Sequence, residues 1–212
     1  MGSYDIWTFT DASIAKNSVS KGKKGIYGFV HMYTYKGDGN LYPIRSGFRE
    51  SKTLDINTLE VYALHLAMGD LWQYHDHPAI IVTDSDNAYN NVRTITQAVM
   101  GLAKYPDAYS GVLSKFKEAV LACSKLYAEM LSKRYKIRMC LCKSHVNHIE
   151  QMKYFKRHKE EVDMSFVRNV CCGNSYIDYL TSNIATNKDV SVLEQYGNHL
   201  TGTAVPMITS GV

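Results

Sequence analysis

Two short β-forming runs, each ending at a carboxylate, constrain this chain more than any other feature. Residues 5–10, Asp-Ile-Trp-Thr-Phe-Thr, alternate polar with large side chains as a half-buried strand does, and they end at Asp11-Ala12-Ser13. Ala79-Ile80-Ile81-Val82-Thr83 is an unbroken apolar run of the kind that fits a central strand, and it ends at Asp84-Ser85-Asp86. The connection between them is long enough to contain a helix. If the two strands are neighbours in one sheet, both acidic ends can meet at its carboxyl edge, where open α/β folds place ligands.

The segments around these runs supply the rest of an α/β unit. Lys16 to Gly25 is rich in Ser, Lys and Gly and reads as a loop before a second strand, Ile26 to Tyr35. Lys36-Gly37-Asp38-Gly39-Asn40 is turn chemistry, and Leu41 to Phe48 can pair back as a third strand. Leu59, Ala63, Leu66, Ala67 and Leu71 recur at helical steps, which predicts a helix from about Asp55 to Tyr74 with Glu60 in its first turn or two. After the second acidic strand end come a helix-like stretch from Ala88, an interruption at 105–107, a long helix from about Tyr109 to Arg134 and a fifth strand from Lys136 to Cys142. Lys143 to Cys172 is polar and basic, Gly173 to Ile184 has helical spacing, and the end from Thr186 is rich in Thr, Asn, Gly and Val. The order predicts a five-stranded mixed sheet with helices on both faces.

With 212 residues and 45% apolar content, the chain can bury one self-sufficient core. Its net charge of +4 permits a nucleic-acid surface without demanding one. The apolar runs fall far short of the roughly 18 residues that cross a bilayer, and the N-terminus lacks a signal-peptide layout, so an unsecreted, cytoplasmic protein without a membrane partner is expected. Five cysteines, an odd number, fit reduced thiols in that compartment.

Asp11 and Asp84 would repel each other at one sheet edge unless a cation sat between them. With Glu60 they would form an oxygen-rich site suited to Mg²⁺ or Mn²⁺ rather than to zinc. Taken singly, each has an ordinary alternative: a turn cap, a helix cap and a solvated helix charge.

In combination these motifs resemble the type 1 ribonucleases H. Thr10-Asp11-Ala12-Ser13 is similar to the Asp-Gly-Ser-like end of that family's first strand, and Gly25-Ile26-Tyr27-Gly28 to the start of its second. Ile56-Asn57-Thr58-Leu59-Glu60 resembles the Asn-rich helix start with its metal-binding Glu, and Val82-Thr83-Asp84-Ser85 the Thr-Asp-Ser end of the fourth strand. Lys143-Ser144-His145 resembles the Gly-His loop, and Asn174 with Asp178 the final Asn and Asp one helical turn apart. The resemblance covers most of residues 5–185, in order.

It implies a ribonuclease H-like catalytic domain at 1–185, with 186–212 as a C-terminal appendage. It also implies two divalent ions, Mg²⁺ or Mn²⁺, held by Asp11, Glu60, Asp84 and Asp178, with His145 assisting proton movement or product release. Substrate contacts fall to Asn17, Asn57, Ser13 and Asn174. Ile56 in place of an expected Asn and Asp86 in place of a common Gln depart from the pattern. So does an insertion at 149–172. That insertion carries Lys153, Lys156, Arg157 and Lys159 among aromatics, suited to a nucleic-acid strand, although a solvated amphipathic helix fits the same residues. Cys140, Cys142, His145 and His148, with Cys171 and Cys172 downstream, raise zinc as a competing site, against which stands the absence of C-x₂-C spacing. The implied function is a metal-dependent endonuclease cutting the RNA strand of RNA–DNA hybrids. The alternatives are a nuclease of the same fold acting on DNA junctions or structured RNA, and a non-catalytic nucleic-acid-binding module. No protein partner can be read from the sequence.

Overall fold

A computed structural model describes residues 5–14, 24–34 and 39–187; Asn17 and the tail from 188 lie outside these residues. The strands are β1 (Ile6–Ile14), β2 (Gly25–Thr34), β3 (Leu41–Ser51), β4 (Ala79–Thr83) and β5 (Ile137–Leu141). The helices are α1 (Ile56–Leu71), α2 (Asp86–Val99), α3 (Lys115–Ser132), α4 (His148–Arg157) and α5 (Met164–Asn187). The five strands form one mixed sheet, as the sequence predicts, and their order in it is β3-β2-β1-β4-β5. β1–β2 and β2–β3 are antiparallel, whereas β1–β4 and β4–β5 are parallel.

Burial on both faces fixes the register. Trp7 pairs with Ile80 and Phe9 with Val82, and Val82 pairs in turn with Cys140. These residues join Phe155, Phe166, Val167 and Val170 in a core between the sheet and the pair α4–α5. Ile6, Ala79, Ile81, Ile137 and Met139 face the other way, into a core closed by α1, α2 and α3. A one-residue slip would exchange the two faces, so neither core tolerates it.

The helices begin where side chains cap them. Asp55, Ser85, Ser114 and Asn147 each accept a hydrogen bond from a backbone N–H two or three residues on, and Asn147 forms a capping box with Glu150.

Several boundaries differ from the sequence reading, β3 for instance running on to Ser51, and three of them have a visible physical cause. β1 does not end at Asp11 but continues to Ile14, because β2 supplies partners as far as Gly25 after the pairing with β4 stops at Phe9. α3 begins at Lys115 rather than near Tyr109, because Gly111 is left-handed (φ 88°) and Ser114 caps the helix; Val112 is fully exposed on the connecting loop.

The last helix begins at Met164 rather than Gly173, so the boundary drawn at 172 falls inside α5. Gly173 looks like a helix boundary in sequence, yet a Cβ there would sit 2.0 Å from Phe9 Cζ. Here glycine permits a close approach of α5 to β1 and does not stop the helix. Segment 149–172 therefore comprises most of α4 and the first part of α5, and its Phe155, Phe166, Val167 and Val170 are core residues. No helix among the described residues is long and apolar enough to cross a membrane.

Candidate active site

Asp11, Glu60 and Asp84 each place a carboxylate oxygen within 4.8 Å of the other two. The sheet register explains two of the three. Asp11 stands two residues past Phe9, Asp84 stands two past Val82, and Phe9 and Val82 are partners on adjacent parallel strands. Both carboxylates therefore leave the sheet at matched height. Glu60 comes from the second turn of α1, which packs on β1 and β2.

The cluster is costly as it stands. Glu60 is 7% exposed, and its Oε2 has no hydrogen-bond partner. Burial above all, then the charges of Asp11 and Asp84, push its carboxyl well above the ordinary range, while the Ala12 backbone amide pulls the other way. Asp11 is pushed up to about 7, first by burial and then by Asp84 and Asp178, against hydrogen bonds from the Ala12 amide and the Thr181 hydroxyl. A buried carboxylate oxygen without a donor, among like charges, is what a bound cation would satisfy. The donor set is all oxygen, which suits a hard divalent ion of the magnesium class.

α5 closes the centre from the side. Asn174 Nδ2 donates to Asp84 Oδ2 at 3.2 Å, so the residue expected on the substrate also orients a carboxylate. Asp178 stands outside the tight group of three but near enough to raise Asp11. Its Oδ2 lies 3.6 Å from His145 Nδ1, and that imidazole is 75% exposed. Thr181, fully buried, was missed in the sequence reading. The available signal was its spacing: Asn174, Asp178 and Thr181 fall at steps of four and three, on one face of α5.

The remaining expected residues are dispersed around this centre. Asn57 Oδ1 accepts from Asn87 Nδ2 at 3.0 Å, which ties the starts of α1 and α2 together beside the carboxylates. Ser13 is half-buried on β1 opposite Ile26. Lys153, Lys156 and Arg157 lie on the exposed side of α4, whose Phe155 is buried, so the helix is amphipathic with its basic residues outward. The zinc alternative finds no support: Cys140 and Cys142 are buried free thiols, and among the described residues the carboxylate trio is the only group arranged to hold a metal.

No family model matches the chain, and no curated protein does. Several solved structures are similar to it. The RNase H domain of PFV shares 20% identity over 74% of this chain and 92% of that one, with a TM-score of 0.50. LC9-RNase H1, a type 1 RNase H with the type 2 active-site motif, shares 14% identity over 87% and 74%, with a TM-score of 0.51. A foamy viral protease-reverse transcriptase in complex with dsDNA shares 16% over 72% and 90%, with a TM-score of 0.50. At such identities the likeness is one of architecture, and together with the strand order it establishes that this chain has the ribonuclease H-like fold.

Proposed function

We propose that this protein is a metal-dependent endonuclease that hydrolyses the RNA strand of RNA–DNA hybrids. The observation that carries the reading is the convergence of Asp11, Glu60 and Asp84 within 4.8 Å, with Glu60 Oε2 buried and unpartnered. A module that only bound nucleic acid would gain nothing from clustered negative charge facing a phosphate backbone. The fold neighbours include an RNase H domain and a reverse transcriptase bound to dsDNA, which supports a nucleic-acid substrate.

In this reading Asp11, Glu60, Asp84 and Asp178 hold Mg²⁺ or Mn²⁺, two ions in all. Bound there, the ions would supply Lewis-acid activation of a water and neutralise charge developing on the scissile phosphate and its leaving oxygen. Asn174 keeps Asp84 oriented through its amide. His145, exposed beside Asp178, is free to carry a proton to or from the leaving side. Asn57 and Ser13 contact the substrate near the carboxylates, and Asn17, outside the described residues, joins them. Lys153, Lys156 and Arg157 on the outer face of α4 contact phosphates farther along.

The test is cleavage of end-labelled RNA–DNA hybrid, duplex RNA, duplex DNA and junction DNA with Mg²⁺ or Mn²⁺, for wild type and Asp84→Asn. Internal cuts in the RNA of the hybrid alone, absent in the variant, are expected. Cutting of junction DNA or duplex RNA instead would replace the substrate. Tight binding with no cutting of any of them would replace the enzyme reading with a binding module.

A further inference from the structure

The sheet's open edge at β5 carries a second polar site that the carboxylate chemistry does not use. A cavity of about 310 Å³ opens there, lined by Tyr89 and Arg93 of α2, Tyr127 of α3, Arg138 and Met139 of β5, and Glu160. The Tyr127 phenol oxygen hydrogen-bonds the Met139 backbone, which engages the strand edge at that point and disfavours pairing with an added strand. Arg138 Nη2 lies 2.6 Å from Glu160 Oε2, so one of the two guanidinium charges is balanced. Arg93 is exposed and has no ion-pair partner among the described residues. Tyr89 stands four residues before it, on the same face of α2.

One unbalanced guanidinium beside two phenol rings is the chemistry that receives an anion attached to a flat ring. Arginine holds a phosphate through charge-assisted hydrogen bonds, and tyrosine faces stack bases without regard to sequence. A volume at the small end of ligand cavities, which run from roughly 300 to 1,000 Å³, has room for a single nucleotide.

We propose that this cavity binds one unpaired nucleotide, with its phosphate on Arg93 and its base against Tyr89 and Tyr127. Asp86 to Arg93 is about 10 Å along α2 at 1.5 Å per residue, so a strand running from the carboxylates along α2 reaches the cavity. The natural occupant is therefore an unpaired extension of the substrate strand, which rests on the nuclease reading; the cavity's affinity for a nucleotide does not.

The experiment follows amide shifts of the protein in EDTA during titration with uridine 5′-monophosphate, uridine, inorganic phosphate or a tri-glutamate peptide. The monophosphate is expected to bind tightest, with shifts centred on Tyr89, Arg93 and Tyr127. Arg93→Gln should weaken it about 10-fold through the lost charge-assisted contact, and Tyr89→Leu about 10-fold through lost stacking. The proposal is overturned if phosphate alone or the peptide binds as well as the monophosphate, if neither variant weakens binding, or if the monophosphate does not bind. Cleavage of blunt-ended hybrid should be the same in Arg93→Gln as in wild type. A wild-type protein that cleaves hybrid but does not bind the monophosphate rejects only the cavity, whereas one that binds the monophosphate but cleaves nothing rejects only the nuclease reading.

Discussion

Asp11→Asn should make the metal-free protein more stable at neutral pH while removing its response to divalent cations. Asp11 ionises near 7 in the folded chain instead of 3.8, a shift of about three units, and at 1.36 kcal/mol each this is about 4 kcal/mol. The sign follows from linkage. The folded state holds the proton where the unfolded chain has released it, so the contribution is fully present below about pH 3.8 and is lost as the pH rises to about 7. Glu60 shifts the same way, for the same reason. Asparagine at position 11 is neutral throughout, still accepts from the Ala12 amide and the Thr181 hydroxyl, and relieves the repulsion on its neighbours.

Urea unfolding in EDTA should therefore show the variant ahead by about 3–4 kcal/mol at pH 7.5, or roughly 10 °C in Tm, with the gap closing towards pH 4. Mg²⁺ should then raise the stability of wild type and leave the variant where it was. A variant less stable than wild type at pH 7.5, or a gap that does not change with pH, would refute the account of a strained carboxylate centre.

Other perturbations separate chemistry, binding and packing. His145→Ala should slow hybrid cleavage by roughly 100-fold without abolishing it, since an exposed histidine 3.6 Å from Asp178 assists and does not hold the centre together; a loss as complete as that of Asp84→Asn in single-turnover kinetics would make it essential. Changing Lys153, Lys156 and Arg157 together to Gln should flatten the log–log salt dependence of hybrid affinity by roughly 0.7–0.9 per lost phosphate contact, with saturated turnover unchanged; an unaltered slope in a Ca²⁺ binding series would assign those residues to solvent. Gly173→Ala, although alanine favours helices, should destabilise by about 1–3 kcal/mol because its Cβ meets the Phe9 ring; thermal unfolding at or above the wild-type midpoint would contradict this.

The elements legible in the sequence were those whose periodicity reflects burial that the chain cannot avoid. Ala79 to Thr83 is buried on both faces, and the helical stripe through Leu59, Ala63, Ala67 and Leu71 is core. Misread boundaries were set by contacts distant in sequence. β1 outruns Asp11 because β2 is beside it, and α5 runs through Gly173 because Phe9 fills the space a side chain would take. Asp11 and Asp84 could be located because each closely follows a β-forming run, even though β1 continues past Asp11, whereas Thr181 and the Asn57–Asn87 bridge depend on how helices face one another, which composition does not record.

The apolar register and the candidate chemistry are one constraint. Phe9 opposite Val82 is a packing choice, made by the core beneath α5, and it is also what sets Asp11 and Asp84 side by side two residues later. A slip of β1 against β4 by one residue would turn Phe9 out of that core and carry Asp11 to the opposite face in the same movement. α5 is bound to the same arrangement. Its approach at Gly173 is followed at once by Asn174 on Asp84, and a turn later by Asp178 and Thr181 towards Asp11. Hydrophobic burial, of which each large side chain contributes roughly 1.5–3 kcal/mol, thus holds together carboxylates that would otherwise separate, and the electrostatic strain at the centre is sustained by the packing of Phe9, Val82 and α5 beneath it.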